Sequence, residues 1–265
     1  MPVSSRPERR LPGRQTVATY TAHVITLRAT RIRDSEAVCR FCSAERGKIE
    51  AAARGIGRPG SKLTPATELF VLSRAMFAEG RNLDRLTQVE VEESFYPLRT
   101  DVRRMSCAAF AVELVDKTTE AGEPNPETFH LLKSTLAALC ESGKPPQVTW
   151  AFQAQYLSLI GIGPLMDCCI TCGTTDDAQL LAFSPSLGGV LCRGCAGEDA
   201  HQAICPGTRR SYEALLGLGP GGADRLGVEP RVARELAWLL ESHRQFHVQA
   251  DIKSAKFLAR LAERP

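Results

Sequence analysis

The 265-residue sequence predicts a multi-domain α+β protein. A small β-barrel or sandwich is followed by an α-helical domain, and a four-cysteine module is inserted into the helices. Three observations carry this. Short β-rich runs recur about every ten residues between positions 20 and 94. From residue 101 onward apolar residues fall at helical spacing. Two C-x-x-C pairs, CITC and CRGC, then interrupt the helical pattern.

The elements follow in order. The opening MPVSSRPERRLPGRQ carries charge without the apolar run of a secretory signal, and Pro7 and Pro12 oppose the amphipathic helix of a transit peptide. Residues 1–19 are therefore expected to form a flexible basic tail. YTAHVITLRATRI (20–32) is the first strand, with His23, Ile25 and Leu27 on one face and Val24, Thr26 and Arg28 on the other. AVCRFCS (37–43), KIEAAARG (48–55), TELFVLSRAMF (67–77) and LTQVEVEES (86–94) supply four more. Helices are expected over 101–120, over 126–142 with Asn125 as N-cap and Pro126 in the first turn, and over the strongly apolar, central 147–161. A further helix starts near Thr208, GPGGADRLG (219–227) reads as a flexible loop, and helices over 230–249 and 252–263 close the chain. The expected domains are a barrel over 20–97, helices over 98–166 and 198–265, and the cysteine module over 167–197.

Charge is uneven along the chain. Residues 1–100 hold 17 lysines and arginines against 11 acids, whereas the remainder is net acidic. A basic first third suits a polyanionic partner. No apolar run reaches the ~18 residues of a membrane span. Ten cysteines without a visible signal peptide point to a reducing, cytoplasmic setting, with thiols as metal ligands and buried side chains.

The second half of DCCITCG pairs with LCRGC. Cys169, Cys172, Cys192 and Cys195 form two C-x-x-C knuckles 19 residues apart, the spacing of a four-thiolate zinc site. One turn sets both sulfurs of a knuckle on one metal, and Gly173 and Gly194 allow backbone amides to face them. One structural zinc ion is the expected cofactor, since a closed site leaves no position for a catalytic water. Cys168 is surplus, and His201 or Cys205 is the alternative fourth ligand. Cys39 and Cys42 repeat the spacing inside a predicted strand, where residues three apart face opposite ways, so these thiols should diverge.

Gly55-Ile-Gly57-Arg58-Pro59-Gly60 spells a dinucleotide fingerprint, but Pro59 and Pro65 oppose the helix that motif requires. Ser61-Lys62 also breaks the P-loop pattern. The segment reads instead as a mobile loop between strands, carrying Arg54, Arg58 and Lys62 with no acid in residues 54–62. Cations on a glycine-rich loop suit phosphate contact, and Arg31, Arg33 and Lys48 add charge nearby. His243 and His247 sit four apart on a helix, but no third ligand joins them, so a partly exposed helix face is expected. Glu92, Glu93, Asp176 and Asp177 read as solvated acids. No catalytic constellation is apparent, and the competing reading is a zinc-dependent or thiol-redox enzyme acting through its C-x-x-C pairs.

Taken in order, RDSEAVCRFCSAERGKIEAAARGIGRPGSKL, NLDRLTQVEVEESFYPLRTD, AAFAVELVDKTTEAGEPNPETFHLL, FQAQYLSLIGIGPLMDCCITCG, FSPSLGGVLCRGC and IKSAKFL resemble the RecO family of bacterial DNA-repair recombination mediators. The resemblance covers about residues 20–260. It implies an N-terminal OB-fold, a helical domain and an inserted zinc module in a non-enzymatic, nucleoid-associated protein. It also implies binding of single- and double-stranded DNA, annealing of complementary strands, and work with RecR to load RecA onto strands coated by single-strand-binding protein. Many members lack some of the four cysteines, and this chain keeps all four. OB-folds often stack bases on aromatic rings. Here Phe41, Phe70 and Phe77 all read as core, so contact should run mainly through phosphate.

Overall fold

The computed structural model describes residues 18–58, 60–197 and 202–262. The expected basic tail falls almost wholly on residues 1–17, outside the described residues.

Five strands close into a barrel: β1 (Thr19–Arg33), β2 (Glu36–Ser43), β3 (Gly47–Arg54), β4 (Leu72–Ala78) and β5 (Asp84–Glu93), in the order β1-β2-β3-β5-β4. β1 serves two partners. Its first half pairs with β4 from Thr19 opposite Ala78 to Ile25 opposite Leu72, and its second half pairs with β2 out to Arg33 opposite Glu36. A register shift between Thr26 and Arg28 bends the strand between those two tasks. A short parallel ladder, Ala51–Ala53 against Asp84–Leu86, completes closure between β3 and β5. This is the OB arrangement.

Side-chain alternation on β1 divides two cores. Val24 joins Phe41, Ala51, Ala53, Phe77 and Leu86 inside the barrel. Ile25 and Leu27 point outward and join the helical core, together with Cys42 and Leu72. Both faces are buried because helices cover the outside. The alternating sequence therefore reads as two buried faces over Val24–Leu27, with Thr19, Thr21 and His23 exposed before them.

The fourth strand starts later than expected. Thr64–Thr67 winds into a 3-10 turn whose Ala66 is buried, and Phe70 turns back at φ 73° before β4 begins. Thr26 N–H bonds to Val71 O at 3.0 Å and Phe70 N–H to Thr26 O at 3.1 Å, so this segment seals the barrel floor.

The helical part comprises α1 (Pro97–Thr100), α2 (Val102–Thr118), α3 (Pro126–Glu141), α4 (Pro145–Leu159), α5 (Pro206–Gly222), α6 (Pro230–His247) and α7 (Lys253–Ala262). Asp101 accepts bonds from Arg103 N–H and Arg104 N–H, and Asn125 accepts one from Thr128 N–H, so both helices start where a capping side chain satisfies free amides. α4 is central as expected: Ala151, Phe152, Ala154, Tyr156 and Leu157 are fully buried among α2, α3, α5 and α6.

The expected loop at 219–227 is instead mostly ordered structure. α5 continues to Gly222 through a kink at Gly219 (φ 62°), and a 3-10 turn, Ala223–Arg225, follows. Gly219 and Pro220 are buried, and Asp224 accepts from Ser142 Oγ (2.5 Å) and Gly143 N–H (3.0 Å). Tertiary bonds overrode the glycine-rich composition.

Barrel and helices are joined by charge as well as apolar surface. Arg40 Nη1 lies 2.8 Å from buried Asp116 on α2, and Lys48 Nζ donates to Asp116 O at 2.9 Å. Gly47 sits at φ 62° in the β2–β3 turn, where a Cβ would lie 1.8 Å from Glu123 O.

Between α4 and α5 lies the cysteine module. It is a small antiparallel sheet of β6 (Leu180–Ser184), β7 (Gly189–Cys192) and β8 (Gln202–Ala203), in the order β7-β6-β8.

Candidate metal centre and nucleic-acid interface

Cys169 and Cys172 flank a tight turn. Gly173 N–H bonds back to Cys169 O at 2.8 Å, and Gly173 adopts φ 74°. Cys192 ends β7, and Cys195 follows in a turn where Cys195 N–H and Ala196 N–H both bond to Cys192 O. Gly194 is not in the left-handed region, so only one of the two glycines is required by backbone shape. The knuckles are aligned by Ile170 N–H bonding to Val190 O at 2.9 Å.

This brings four sulfurs together. The Sγ atoms of Cys169, Cys172, Cys192 and Cys195 all lie within 4.8 Å of one another, and Cys172 Sγ is 3.7 Å from Cys192 Sγ. A tetrahedral thiolate site with metal–sulfur bonds of about 2.3 Å needs sulfur separations of about 3.8 Å, so the set fits a divalent metal. Backbone amides support anionic sulfur. Burial pushes the Cys169 thiol up, but amide hydrogen bonds from Cys172, Cys192 and Thr171 outweigh it and hold it at about 6. Cys192 N–H donates to Cys169 Sγ at 3.3 Å. Cys195 is pushed up to about 12 by hydrogen bonding to Cys192 and Cys172, because a fourth negative charge among thiolates is unfavourable without a cation. A bound divalent ion reverses that order.

The alternative ligands fall elsewhere. Cys205 caps α5; its N–H donates to Glu235 and its thiol lies 3.4 Å from Thr208 Oγ1. His201 is outside the described residues. Cys39 and Cys42 diverge as expected. Cys39 faces the barrel interior and Cys42 the helical core, and burial raises them to about 11 and 12.

Sequence reasoning misplaced the two histidines. His243 is 1% exposed, and its ring centroid is 4.3 Å from that of His247. Each Nε2 is taken by a backbone carbonyl. His243 Nε2 bonds to Ile162 O (2.7 Å), just before the cysteine module, and His247 Nε2 to Pro185 O (2.9 Å), in its hairpin. The pair fastens the module to α6. Gly188 lies against both rings, where a Cβ would meet His247 Nε2 at 3.2 Å. Asp177 is also more than a solvated acid, because it pairs with buried Arg209, whose Nε donates to Met166 O.

The predicted phosphate-contacting residues divide into two places. Arg33 and Arg54 flank Glu36, with N–O separations of 3.9 and 3.7 Å. Arg31 stands opposite Ala37, which in turn faces Ala53. The glycine loop leans on the β1–β2 turn through Gly55 N–H to Ser35 O (2.7 Å), and Ser61 N–H bonds to Arg58 O. Arg31, Arg33, Arg54, Arg58 and Lys62 are all exposed at this end of the barrel. Ile56, 1% exposed, anchors the start of the loop by plugging the barrel core. Lys48 lies at the other end of β3, about 20 Å of strand away, turned toward α2. Phe41, Phe70 and Phe77 are buried, so none offers a ring to a base.

The comparisons agree with this geometry. The family model described as Recombination protein O N terminal matches residues 17–95, and Recombination protein O C terminal matches 99–256. The chain belongs to the RecO family. Among its relatives, the DNA repair protein RecO of Symbiobacterium thermophilum is 32% identical over 246 residues, covering 91% of this chain and 97% of the relative. The DNA repair protein RecO of Pelotomaculum thermopropionicum is 32% identical over 247 residues, covering 93% and 96%. The DNA repair protein RecO of Halalkalibacterium halodurans is 34% identical over 245 residues, covering 91% and 95%. The barrel and the helical part thus coincide with the two halves of the RecO family pattern. Among the described residues, no helix is long and apolar enough to cross a membrane.

Proposed function

We propose that this RecO-family chain is a non-catalytic recombination mediator that works by holding DNA backbones. It binds single- and double-stranded DNA, anneals complementary strands and, with RecR, helps load RecA onto strands coated by single-strand-binding protein. The observation that carries this reading is the convergence of Arg31, Arg33, Arg54, Arg58 and Lys62 on one end of the barrel, with Glu36 the acid between Arg33 and Arg54. Exposed cations release counterions on meeting phosphate and read no base, which is the selectivity that annealing of arbitrary sequences needs. Duplex formation is itself downhill, so neutralising two backbones and holding them close is enough.

The four cysteines hold one Zn2+ in this reading, and the ion supplies folding energy to the module between α4 and α5. Cys169, Cys172, Cys192 and Cys195 fill all four positions of a tetrahedral site. The chain's own part is to present the sulfurs and stabilise their charge with the amides of Cys172, Cys192 and Thr171.

A fluorescence-quench assay with complementary oligonucleotides, bare or coated by single-strand-binding protein, tests the reading. The protein should accelerate pairing at least tenfold at low salt and retain an effect on coated strands. Pairing at the spontaneous rate in both cases would overturn it.

A further inference from the structure

α7 lies at the edge of the helical domain with two unlike faces. Ile252 and Ala255 are buried and Leu258 half-buried, facing the core beside α2. Its start is fixed because Glu113 of α2 accepts from Ser254 N–H at 2.8 Å and Ser254 Oγ at 2.5 Å. The opposite face carries Lys253, Lys256, Phe257 and Arg260. Their spacing of three, four and seven places them on one stripe, and all four are exposed, with the Phe257 ring 47% accessible.

Lys117, exposed at the end of α2, belongs to the same patch. The Asp251 carboxylate is held below its usual range by hydrogen bonding and charge from Lys256, and further by Lys253 and Lys117, so three cations converge on one acid. Lys256 Nζ is 2.8 Å from Asp251, but both side chains are mostly exposed. Such a pair is weak and exchanges readily for a phosphate. Lys117, Lys253 and Lys256 thus surround Asp251, Arg260 continues the row one turn further along α7, and the nearby Glu113 is already committed to Ser254.

We propose that this exposed face of α7, with Lys117, is a second nucleic-acid docking surface that holds a DNA strand separately from the barrel. The inference rests on the DNA-holding function proposed above and names where its second strand sits. Two features select a nucleic acid. Lys253, Lys256 and Arg260 recur along α7 at steps of three and four residues, so positive charge runs on along the helix past Asp251. An unpaired aromatic ring lies among them, as in surfaces that stack bases while neutralising phosphates. The barrel end offers cations without such a ring, so it suits backbone contact, while α7 suits an unstacked single strand. An annealing protein gains from that difference, since each strand is held before the two meet.

The full chain is titrated at low salt with a fluorescent fifteen-nucleotide oligothymidine, counting strands per chain. The native chain should bind two. Lys253→Glu with Lys256→Glu should leave one, and Phe257→Ala should weaken the second strand about tenfold, consistent with loss of one stacking contact. Arg54→Glu with Arg58→Glu should remove the other strand. All substituted side chains are exposed, and melting curves confirm folding. Two strands retained in the Lys253→Glu, Lys256→Glu variant would overturn the α7 surface while leaving the barrel reading intact. No strand lost in the barrel variant would instead overturn the barrel reading, and no binding by the native chain would overturn both. Loss of poly-glutamate binding in the α7 variant with an unchanged strand count would assign the surface to an acidic protein and equally overturn the proposal.

Discussion

His243 shows what a single side chain does for the attachment of a module. Burial pushes its imidazole down to about 4, and the neighbouring His247 adds to the effect. The folded state therefore keeps it neutral while the unfolded chain takes up a proton near the ordinary value of 6.5. A depressed histidine contributes full stability above 6.5, and that contribution declines as pH falls from 6.5 toward 4. The expected loss is up to about 3 kcal/mol. Thermal melts from pH 8 to 4 check this by difference: His243→Phe should be less stable at pH 8 but should show a shallower decline than the native chain. Parallel curves would contradict it. The role was hidden in the sequence, where a histidine pair at i, i+4 gives no sign of the Ile162 and Pro185 carbonyls that meet it. Cys39 and Cys42 were legible, because strand alternation alone sends their thiols to different cores.

At the scale of an element, turns decided most of what the sequence made readable. The C-x-x-C pairs declared the cysteine centre because the chemistry is local: two knuckles and one hairpin bring the sulfurs together. Cys192→Ser with Cys195→Ser should abolish zinc binding and lower the melting temperature, while oligonucleotide affinity per folded molecule changes less than threefold. Metal analysis of the purified chain should give one zinc per chain and none in the variant. A larger loss of affinity than of stability would place the module in the binding surface. The basic character of the glycine loop was legible, but its anchor was not, since Ile56 can be recognised as a plug only once the barrel core is known. The ordered turn at 223–225 escaped for a similar reason, as Asp224 finds its partners 82 and 81 residues earlier at Ser142 and Gly143. Gly47 in the β2–β3 turn gives a sharp test of packing. Gly47→Ala places a Cβ against Glu123 O in a left-handed backbone and should cost about 2 kcal/mol or more. A denaturant midpoint equal to that of the native chain would contradict the close approach of barrel and α2–α3 loop.

Across the whole molecule, the barrel is not an appendage. Ile25, Leu27, Cys42, Phe70 and Leu72 share one core with the helices, and Arg40, Lys48 and Asp116 fasten the join. That arrangement explains Lys48: charge counting along the sequence grouped it with the phosphate contacts, but its partner is a helix carbonyl. The remaining five cations gather at the far end because the β1–β2 turn and the loop after β3 pack on one another. A barrel held this firmly presents its charges as a fixed set, so binding should follow counterion release. The most direct test is the salt dependence of oligonucleotide affinity for the native chain and for Arg54→Glu, Arg58→Glu, Lys62→Glu. Affinity should fall steeply with salt for the native chain, and the logarithmic slope should flatten by about 2 in the variant, near 0.7 for each lost single-strand phosphate contact. An unchanged slope and unchanged low-salt affinity would contradict the claim that this end of the barrel holds DNA.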